Sequence, residues 1–116
     1  DTLYVTGDDE GQLNSVAWYS GNNPSGCPRP VASLKPNPFG LYDMHGNTWE
    51  WCADAFDEKF YRCSPAVDPV NPAAGGSVVC RSGSWYGSAT YARSAYRSLH
   101  NPGGTYYDIG FRIFAE

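Results

Sequence analysis

Four cysteines are the side chains of this sequence with the widest chemical repertoire, since thiolates bind soft metals and thiols form disulfides. They are Cys27, Cys52, Cys63 and Cys80. No pair has the Cys-x-x-Cys spacing that is typical of a zinc site, so zinc is not favoured. In an oxidising compartment disulfides could form, and Cys52–Cys63 and Cys63–Cys80 are the pairings that we consider first. The alternative is buried free thiols that pack as small hydrophobic groups.

Oxygen-bearing and imidazole side chains near the middle of the chain are the other candidates for metal binding. Asp43, Asn47 and Glu50 cluster there, but they lack the alternation of oxygen ligands that is typical of a calcium loop. We expect Asn47 and Glu50 to hold loops by hydrogen bonding instead. His45 lies in the same stretch and is predicted to be structural, whereas His100 is predicted to be exposed. The sequence contains no nucleophile elbow and no phosphate-binding loop, so no cofactor and no metal are predicted.

Length and composition limit what this chain can be. Its 116 residues are predicted to form one domain, 1–116, and 13 glycines and 9 prolines indicate many turns and little helix. A net charge of −4 gives no basic face for nucleic acid. No apolar run approaches the roughly 18–20 residues that a membrane-spanning helix needs. We therefore predict a loop-rich domain with no nucleic-acid partner and no membrane span.

A stretch rich in aromatic residues, 37–51 (NPFGLYDMHGNTWEW), is predicted to organise the fold. Its large apolar residues are Phe39, Leu41, Tyr42, Met44, Trp49 and Trp51. Trp49 and Trp51 are two residues apart, so on an extended strand their side chains point the same way. Buried aromatic rings remove about 150–250 Å² each from water, a large share of the core of so short a chain. We therefore predict that this stretch is the nucleus of the core.

Weaker signals predict the elements on either side of this stretch. Residues 13–19 are the best candidate for a helix or short strand before it, and residues 31–34 are expected to form a brief strand. Proline and glycine make residues 64–77 a loop. A strand is expected to begin at Val78 and Val79 and to run into residues 80–85, and apolar side chains at 109–114 predict a closing strand.

Four arginines are expected to be structural rather than chemical: Arg81, Arg93, Arg97 and Arg112. The planar guanidinium group donates paired hydrogen bonds to carboxylate and carbonyl oxygens, which suits it to holding long loops. We predict that each of these arginines bonds such a group elsewhere in the chain.

Segments along the whole chain resemble the formylglycine-generating-enzyme (sulfatase-modifying-factor) family, in the order that the family has them. They are LNSVAWYSGNN at 13–23, NPFGLYDMHGNTWEW at 37–51, CRSGSWYGSATYARSAYR at 80–97 and GFR at 110–112. The resemblance implies an α+β, C-type-lectin-like fold, with a small irregular antiparallel sheet, short helices and long loops. Because the motifs begin close to residue 1, we expect a minimal version or an excised domain. Ser82 departs from the family pattern, which has glycine there.

The same resemblance argues against catalysis. Family members that oxidise a cysteine in sulfatases bind copper with a cysteine pair that follows the RGGSW-like segment, as soft thiolates can. The corresponding residues, 86–92, contain no cysteine, and Ala92 stands where one is often found. Relatives that act in sulfoxide synthesis hold iron with histidines, and two histidines are too few for a three-histidine site. We therefore predict that the protein is not an enzyme, with an active metal oxidase as the disfavoured interpretation.

A second resemblance concerns residues 86–108. Variable proteins of diversity-generating retroelements share this fold and vary between an RGGSW-like and a GFR-like segment. Their variable codons derive from AAC by replacement of adenines, which cannot produce Lys, Gln, Glu, Met or Trp. None of these five types occurs in residues 86–108, whereas they fill 12 of the other 93 positions. Composition alone would place about three there. The resemblance implies that 86–108 is a variable ligand-binding region.

The composition of residues 86–108 is also that of a binding surface. Five tyrosines fall there, and tyrosine gives large, rigid contact area while serine and glycine adapt. The candidate ligand-binding residues are Tyr86, Ser88, Thr90, Tyr91, Tyr96, Leu99, His100, Tyr106, Tyr107 and Asp108. The expected partner is a protein or glycan on another cell or particle surface, and by resemblance the protein faces outward from a virus particle or cell. The alternative is a non-diversified binding or structural domain that is related to sulfatase-modifying enzymes and catalytically inactive.

Overall fold

Short strands and turns make up the regular structure of this protein, seen here in a computed structural model that describes residues 1–67, 69–72 and 76–113. The elements in chain order are α1 (Glu10–Leu13), β1 (Ala17–Trp18), β2 (His45–Gly46), β3 (Trp49–Ala55), a 3₁₀ turn (Phe60–Arg62), β4 (Val78–Arg81), a second 3₁₀ turn (Ala89–Ala92), β5 (Ser98–His100) and β6 (Ile109–Gly110). Long loops join them and include residues 64–77 where these are described, as predicted. In the part of the chain that is described, no helix is long and apolar enough to cross a membrane.

A four-stranded sheet in the order β5-β4-β3-β6 contains most of the strand residues. β4 confirms the strand predicted to begin at Val78, but it ends at Arg81, because Ser82 has a φ of +86°, which a strand excludes. β4 pairs antiparallel with both β3 and β5, whereas β6 runs parallel to β3. β1 and β2 form a separate two-stranded parallel sheet. The predicted α+β class and small irregular sheet are present, with the expected antiparallel pairs and two parallel pairs in addition. Parallel strands need long connections, so local sequence patterns do not reveal them.

The buried core lies between the N-terminal elements and the second 3₁₀ turn. It contains Tyr4, Leu13, Val16, Ala17, Tyr19, Ala89 and Ala92. The helix or strand predicted at 13–19 is confirmed as the end of α1 followed by β1. Asp9 begins α1 by accepting a hydrogen bond from the Gly11 amide at 2.8 Å, the usual role of a helix N-cap. Because Ala89 and Ala92 belong to the second 3₁₀ turn, the 86–108 region is attached directly to this core.

The central stretch 37–51 is buried only in its second half. Residues 45–47 are buried and Trp49 is 7% exposed. The exposed large residues of the first half are Phe39, Leu41, Tyr42 and Met44. The prediction that the whole stretch packs as a nucleus is therefore wrong. The physical reason is local, because Asn37 Oδ1 accepts two main-chain amide hydrogen bonds, both at 3.0 Å, and closes the first half into a surface turn.

Two predicted strands differ from the observed elements. Residues 31–34 form no strand, because Ala32 adopts a φ of +57°, a left-handed conformation that a strand excludes. The closing strand is limited to β6, and Phe111 and Ile113 beyond it are exposed. Phe114, the last residue of the predicted strand, lies outside the described residues.

The four arginines bind main-chain carbonyl oxygens of other residues, which confirms their predicted role. Arg81 donates to the carbonyl of Ser94, and Arg93 donates to the carbonyl of Thr90. Arg97 donates to the carbonyl of Asp57, and Arg112 donates to the carbonyls of Tyr42 and Asp43. The distances range from 2.9 to 3.4 Å. Arg112 also forms a two-point ion pair with Glu50 at 2.7 and 3.0 Å. Asn47 bonds the amide and the carbonyl of Arg29 at 2.9 and 3.1 Å. The prediction that Glu50 and Asn47 hold loops is thus confirmed.

His45 joins three segments of the chain from a buried position, as its predicted structural role requires. Its Nδ1 lies 2.7 Å from the Ala92 carbonyl oxygen, and its Nε2 accepts a hydrogen bond from the Val5 amide at 3.2 Å. These partners require a neutral ring with the proton on Nδ1. Burial lowers the pKa of His45 below its ordinary value of 6.5, although the bond to Ala92 opposes this effect.

Acidification from about pH 7.5 to 5.5 is expected to destabilise the protein through His45. The pKa is lower in the folded than in the unfolded state, so between these two values the unfolded chain binds more protons. The free energy of unfolding therefore falls as the pH drops through about 6.5, and this loss ends below the folded-state pKa. Urea unfolding at several pH values measures it. The variant His45→Gln should be less stable at neutral pH but lose this slope, whereas His100→Gln should keep it. An equal slope in both variants would contradict the assignment.

Candidate ligand-binding surface

Six rings gather on one side of the four-stranded sheet and form what we call the aromatic face. Its members are Trp49, Trp51, Tyr91, Tyr96, His100 and Tyr106. Because side chains alternate along a strand, Trp49 and Trp51 of β3 leave the sheet on the same side, as predicted. Both contact the ring of His100 in β5, with centroids 6.3 and 6.2 Å apart. The sheet itself therefore provides the base of this surface.

The three tyrosines of the aromatic face come from loops and pack onto that base. Tyr91 and Tyr96 meet edge to face at 5.1 Å, and they lie 6.3 and 6.0 Å from Trp49. Tyr91 belongs to the second 3₁₀ turn, which the core holds. Tyr106 lies 6.0 Å from Trp51. Such ring pairs contribute about 0.5–1.5 kcal/mol each beyond burial, so these tyrosines are held in position before any ligand arrives.

His100 is only partly exposed, so the prediction that it is exposed is wrong. Its ring packs against Tyr106 at 4.9 Å, in addition to its contacts with the two tryptophans. The reason is the order of the sheet, in which β5 lies beside β4 and β4 beside β3, so that the side chains of His100 and Trp51 lie on the same side of the sheet. The residues around position 100 in the sequence carry no sign of this long-range pairing.

A second group of rings, the Trp85 cluster, consists of Trp85, Tyr86 and Tyr107. Its centroids are 5.5, 6.0 and 6.5 Å apart, and Tyr86 and Tyr107 are 66% and 72% exposed. The Nε1 atom of Trp85 is buried and has no hydrogen-bond partner among the residues that the structure describes. A buried N–H without a partner costs free energy, so an acceptor on a ligand that reaches it would be favoured.

Asp108 lies between the two groups of rings. Its main-chain carbonyl accepts a hydrogen bond from the Trp49 amide at 2.8 Å, beside the aromatic face. Its carboxylate accepts a hydrogen bond from the hydroxyl of Ser84, the residue that precedes Trp85, at 3.2 Å. The arrangement places one carboxylate among rings, where it can accept hydrogen bonds from basic or hydroxyl groups of a ligand.

The other three predicted residues are not aromatic and belong to neither ring group. Ser88 and Thr90 are exposed at the second 3₁₀ turn, beside Tyr91. Leu99 is 49% exposed, but it alternates with His100 along β5, so its side chain leaves the opposite side of the sheet. The prediction that Leu99 lies on the same surface as His100 is therefore wrong, because the side chains of neighbouring strand residues point to opposite sides of the sheet.

Three tryptophans contribute to this surface although sequence reasoning treated them as core or as framework. Trp49 is buried, but Trp51 and Trp85 are partly exposed and touch the predicted tyrosines directly. The spacing of Trp49 and Trp51 was a usable signal, because two rings on one side of a strand need partners. The tyrosine-rich segment 86–108 supplies those partners.

The cysteines do not fit the copper centre that the family resemblance implies. All four are free thiols, so neither Cys52–Cys63 nor Cys63–Cys80 is a disulfide. Cys63 is exposed whereas Cys80 is buried in β4, a difference in depth that spacing does not show. Burial raises the pKa of Cys80 to about 12, so this thiol stays protonated at neutral pH and is a poor metal ligand. Among the described residues, no three His, Cys, Asp or Glu side chains group closely enough to hold a metal.

A small mixed sheet, long loops and a set of rings presented on one side define the class, an α+β domain with the C-type-lectin-like fold. The profile of the family described as "Sulfatase-modifying factor enzyme 1-like domain" matches residues 2–116. The chain therefore belongs to this family, and the predicted family and fold are both confirmed.

Relatives of known name include enzymes and a protein named as inactive. A formylglycine-generating enzyme of Streptomyces coelicolor is 42% identical over 86 residues, which are 72% of this chain and 27% of that protein. A serine/threonine-protein kinase pkn1 of Chlamydia pneumoniae is 43% identical over 84 residues, 71% of this chain and 14% of that protein. An inactive C-alpha-formylglycine-generating enzyme 2 of Mus musculus is 34% identical over 89 residues, 72% of this chain and 24% of that protein. The chain thus spans about a quarter or less of these relatives.

Among solved structures, Treponema denticola variable protein 1 is similar to this chain, with a TM-score of 0.86 and 37% identity. The match covers 96% of this chain and 40% of that one. The suspected resemblance to a variable protein is therefore supported by both sequence and structure.

Proposed function

We infer that this protein binds a macromolecular ligand, a protein or a glycan, through the aromatic face, the Trp85 cluster and Asp108. The observation that carries the proposal is the exposure of large rings on a buried base. Tyr91 is 41% exposed and packs on Trp49, which is 7% exposed. Tyr86 and Tyr107 are 66% and 72% exposed and pack on Trp85. Contiguous aromatic surface is uncommon on monomeric proteins and marks interaction sites.

The ring contacts favour tight binding because they reduce the entropy that a ligand must remove. A tyrosine has two side-chain torsions, and a neighbouring ring limits both of them before binding. Tyr91, Tyr96 and Tyr106 each touch at least one other ring of the aromatic face. A surface ordered in this way keeps more of its contact free energy as affinity.

Diversification of residues 86–108 is the second part of the proposal. The similarity to a protein named as variable supports it, and so does the absence of Lys, Gln, Glu, Met and Trp from this region. The burial pattern supports it as well. Ser88 and Thr90 are exposed and can be replaced freely, while Ala89 and Ala92 between and beyond them are buried. An outward-facing location on a virus particle or cell accompanies this proposal.

Sequencing of this locus across a population tests diversification. We expect substitutions to concentrate at exposed positions of 86–108, while Ala89, Ala92 and Arg93 stay constant, because two of these pack in the core and the third bonds a carbonyl. Sparse substitutions spread evenly along the chain would contradict diversification. They would favour the alternative, a non-diversified and catalytically inactive binding or structural domain. The free, protonated Cys80 thiol and the absence of cysteine from 86–92 support inactivity in either case.

Replacing Tyr91, Tyr96 and Tyr106 together by alanine is expected to weaken ligand binding about 100-fold or more. Tyrosines at the centre of an interface often contribute 1–2 kcal/mol each, and together they exceed the roughly 2.7 kcal/mol that this factor requires. The ligand is first identified with the unchanged protein on a glycan array and a panel of cell-surface proteins. Surface plasmon resonance then compares the two proteins.

A matched control removes three exposed aromatic rings elsewhere. The triple variant at Phe39, Tyr61 and Phe111 loses side chains that are 85%, 59% and 77% exposed and that belong to neither ring group. Its affinity should stay within about twofold of the unchanged protein, a difference below 0.5 kcal/mol. Equal losses in the two triple variants would mean that the aromatic face is not the binding site.

A further inference from the structure

A cavity of about 370 Å³ opens between the four-stranded sheet and the loops that pack over its other side. Arg81 and Arg93 provide its basic lining, and Val5, Met44 and Trp51 provide apolar walls. Pockets that hold small organic ligands measure about 300–1,000 Å³, so this cavity lies at the small end of that range.

Strand alternation separates this cavity from the aromatic face. Arg81 pairs in register with Glu50, and both line the cavity. Their strand neighbours Cys80 and Trp51 also pair in register, and the side chains of these two residues point to the opposite side of the sheet. Trp51 borders both sites, and the guanidinium of Arg93 lies 5.7 Å from the ring of Tyr96 on the aromatic face. The side chain of Arg81 lies on the side of the sheet opposite the aromatic face, so its replacement separates the cavity from that face.

Neither of the two guanidinium groups forms an ion pair with a residue that the structure describes. Arg81 and Arg93 each donate a hydrogen bond to a main-chain carbonyl, out of the five N–H donors that each group has. In the part of the chain that is described, the one ion pair joins Arg112 to Glu50, so the carboxylate that lines the cavity is already paired. The cavity is thus locally positive in a protein whose net charge is −4.

We propose that this cavity binds a small organic carboxylate with an apolar body. Guanidinium groups bind carboxylates through two parallel hydrogen bonds, a geometry that Arg81 and Arg93 can offer from the basic wall. The apolar body of the ligand lies against Met44 and Trp51. This site opens on the side of the sheet opposite the proposed macromolecular ligand, and Trp51 borders both.

Benzoate is a suitable probe, and its neutral analogue benzamide is the matched ligand control. In a titration followed by ¹H–¹⁵N correlation spectra, benzoate should shift the amide signals of Ser82 and Ser94 with a millimolar dissociation constant. Benzamide should bind at least about tenfold more weakly, because charged hydrogen bonds contribute about 1.5–3 kcal/mol. Equal shifts with both compounds, or no shift at about 20 mM benzoate, would overturn the proposal, since a millimolar site is saturated there.

Four variants complete the test. Arg81→Gln removes one guanidinium, and Ser94→Asp places a competing carboxylate at an exposed position whose carbonyl already bonds Arg81. Each should weaken benzoate binding about tenfold or more, while Arg62→Gln, which removes the same charge from an exposed turn, should not. The double alanine variant at Tyr86 and Tyr107, two rings of the Trp85 cluster that do not line the cavity, should bind benzoate normally. This control distinguishes failure of the cavity site from failure of the proposed macromolecular surface. Unchanged benzoate affinity in both cavity variants would overturn the assignment.

Discussion

Replacing Gly46 by alanine is expected to lower the free energy of unfolding by about 3 kcal/mol or more. Gly46 lies in β2, has a φ of +71°, and pairs directly with Trp18 of β1. A Cβ atom at this position would lie 2.9 Å from the Trp18 carbonyl carbon and closer still to its oxygen. Backbone atoms of a paired strand cannot move away cheaply, so the clash adds about 1–3 kcal/mol to the cost of the left-handed conformation.

Gly40 offers a matched control for the backbone contribution alone. Its φ is +78°, and an added Cβ would meet nothing within 4 Å. Gly40→Ala should therefore cost only the conformational term of about 1–2 kcal/mol. Urea unfolding of the two variants separates the terms, and failure of the Gly46 variant to fold agrees with the larger cost. Equal unfolding midpoints would mean that close approach to β1 does not limit this position.

Replacing Trp49 by alanine is expected to cost about 3–5 kcal/mol, the range for removal of a large buried aromatic ring. Trp49 is 7% exposed, and its ring contacts Tyr91, Tyr96 and His100. Total stability of a small domain is about 5–15 kcal/mol, so this one side chain supports a large fraction of it. Thermal and urea unfolding measure the loss, and Phe39→Ala at an 85% exposed ring is the control.

The milder variant Trp49→Phe separates stability from recognition. It keeps an apolar ring in the core but withdraws part of the surface against which the tyrosines pack. We expect ligand affinity to fall although the protein remains folded, because the tyrosines lose part of their ordered arrangement. A loss below about 1 kcal/mol for Trp49→Ala would show that the ring is not part of the supporting core.

Local chemistry in the sequence predicted the parts of the fold that depend on one residue type. Guanidinium geometry predicted that Arg97 and Arg112 bond main-chain oxygens, and each does so. Strand periodicity predicted that Trp49 and Trp51 share one side of a strand, and both contact His100. In these cases the determining physics lies within the residue itself or its immediate neighbours.

Long-range register and local turns account for what the sequence did not predict. His100 is partly covered because two strand pairings put its side chain on the same side of the sheet as that of Trp51, and Leu99 faces away because it is the neighbouring residue of the same strand. Phe39 is exposed because hydrogen bonds to Asn37 form a surface turn, so its hydrophobicity does not decide its position. Hydrophobic content indicates how much core is available but not which rings occupy it.

The use of main-chain carbonyls by the arginines has a consequence for how the surface can evolve. Arg93 bonds the carbonyl of Thr90, and Arg81 bonds that of Ser94, and every residue type supplies the same oxygen. Either acceptor residue can therefore mutate without breaking the bond that holds its loop. The domain gains mutational robustness where the proposed binding surface lies, so new surfaces can arise in single genetic steps that leave the framework intact.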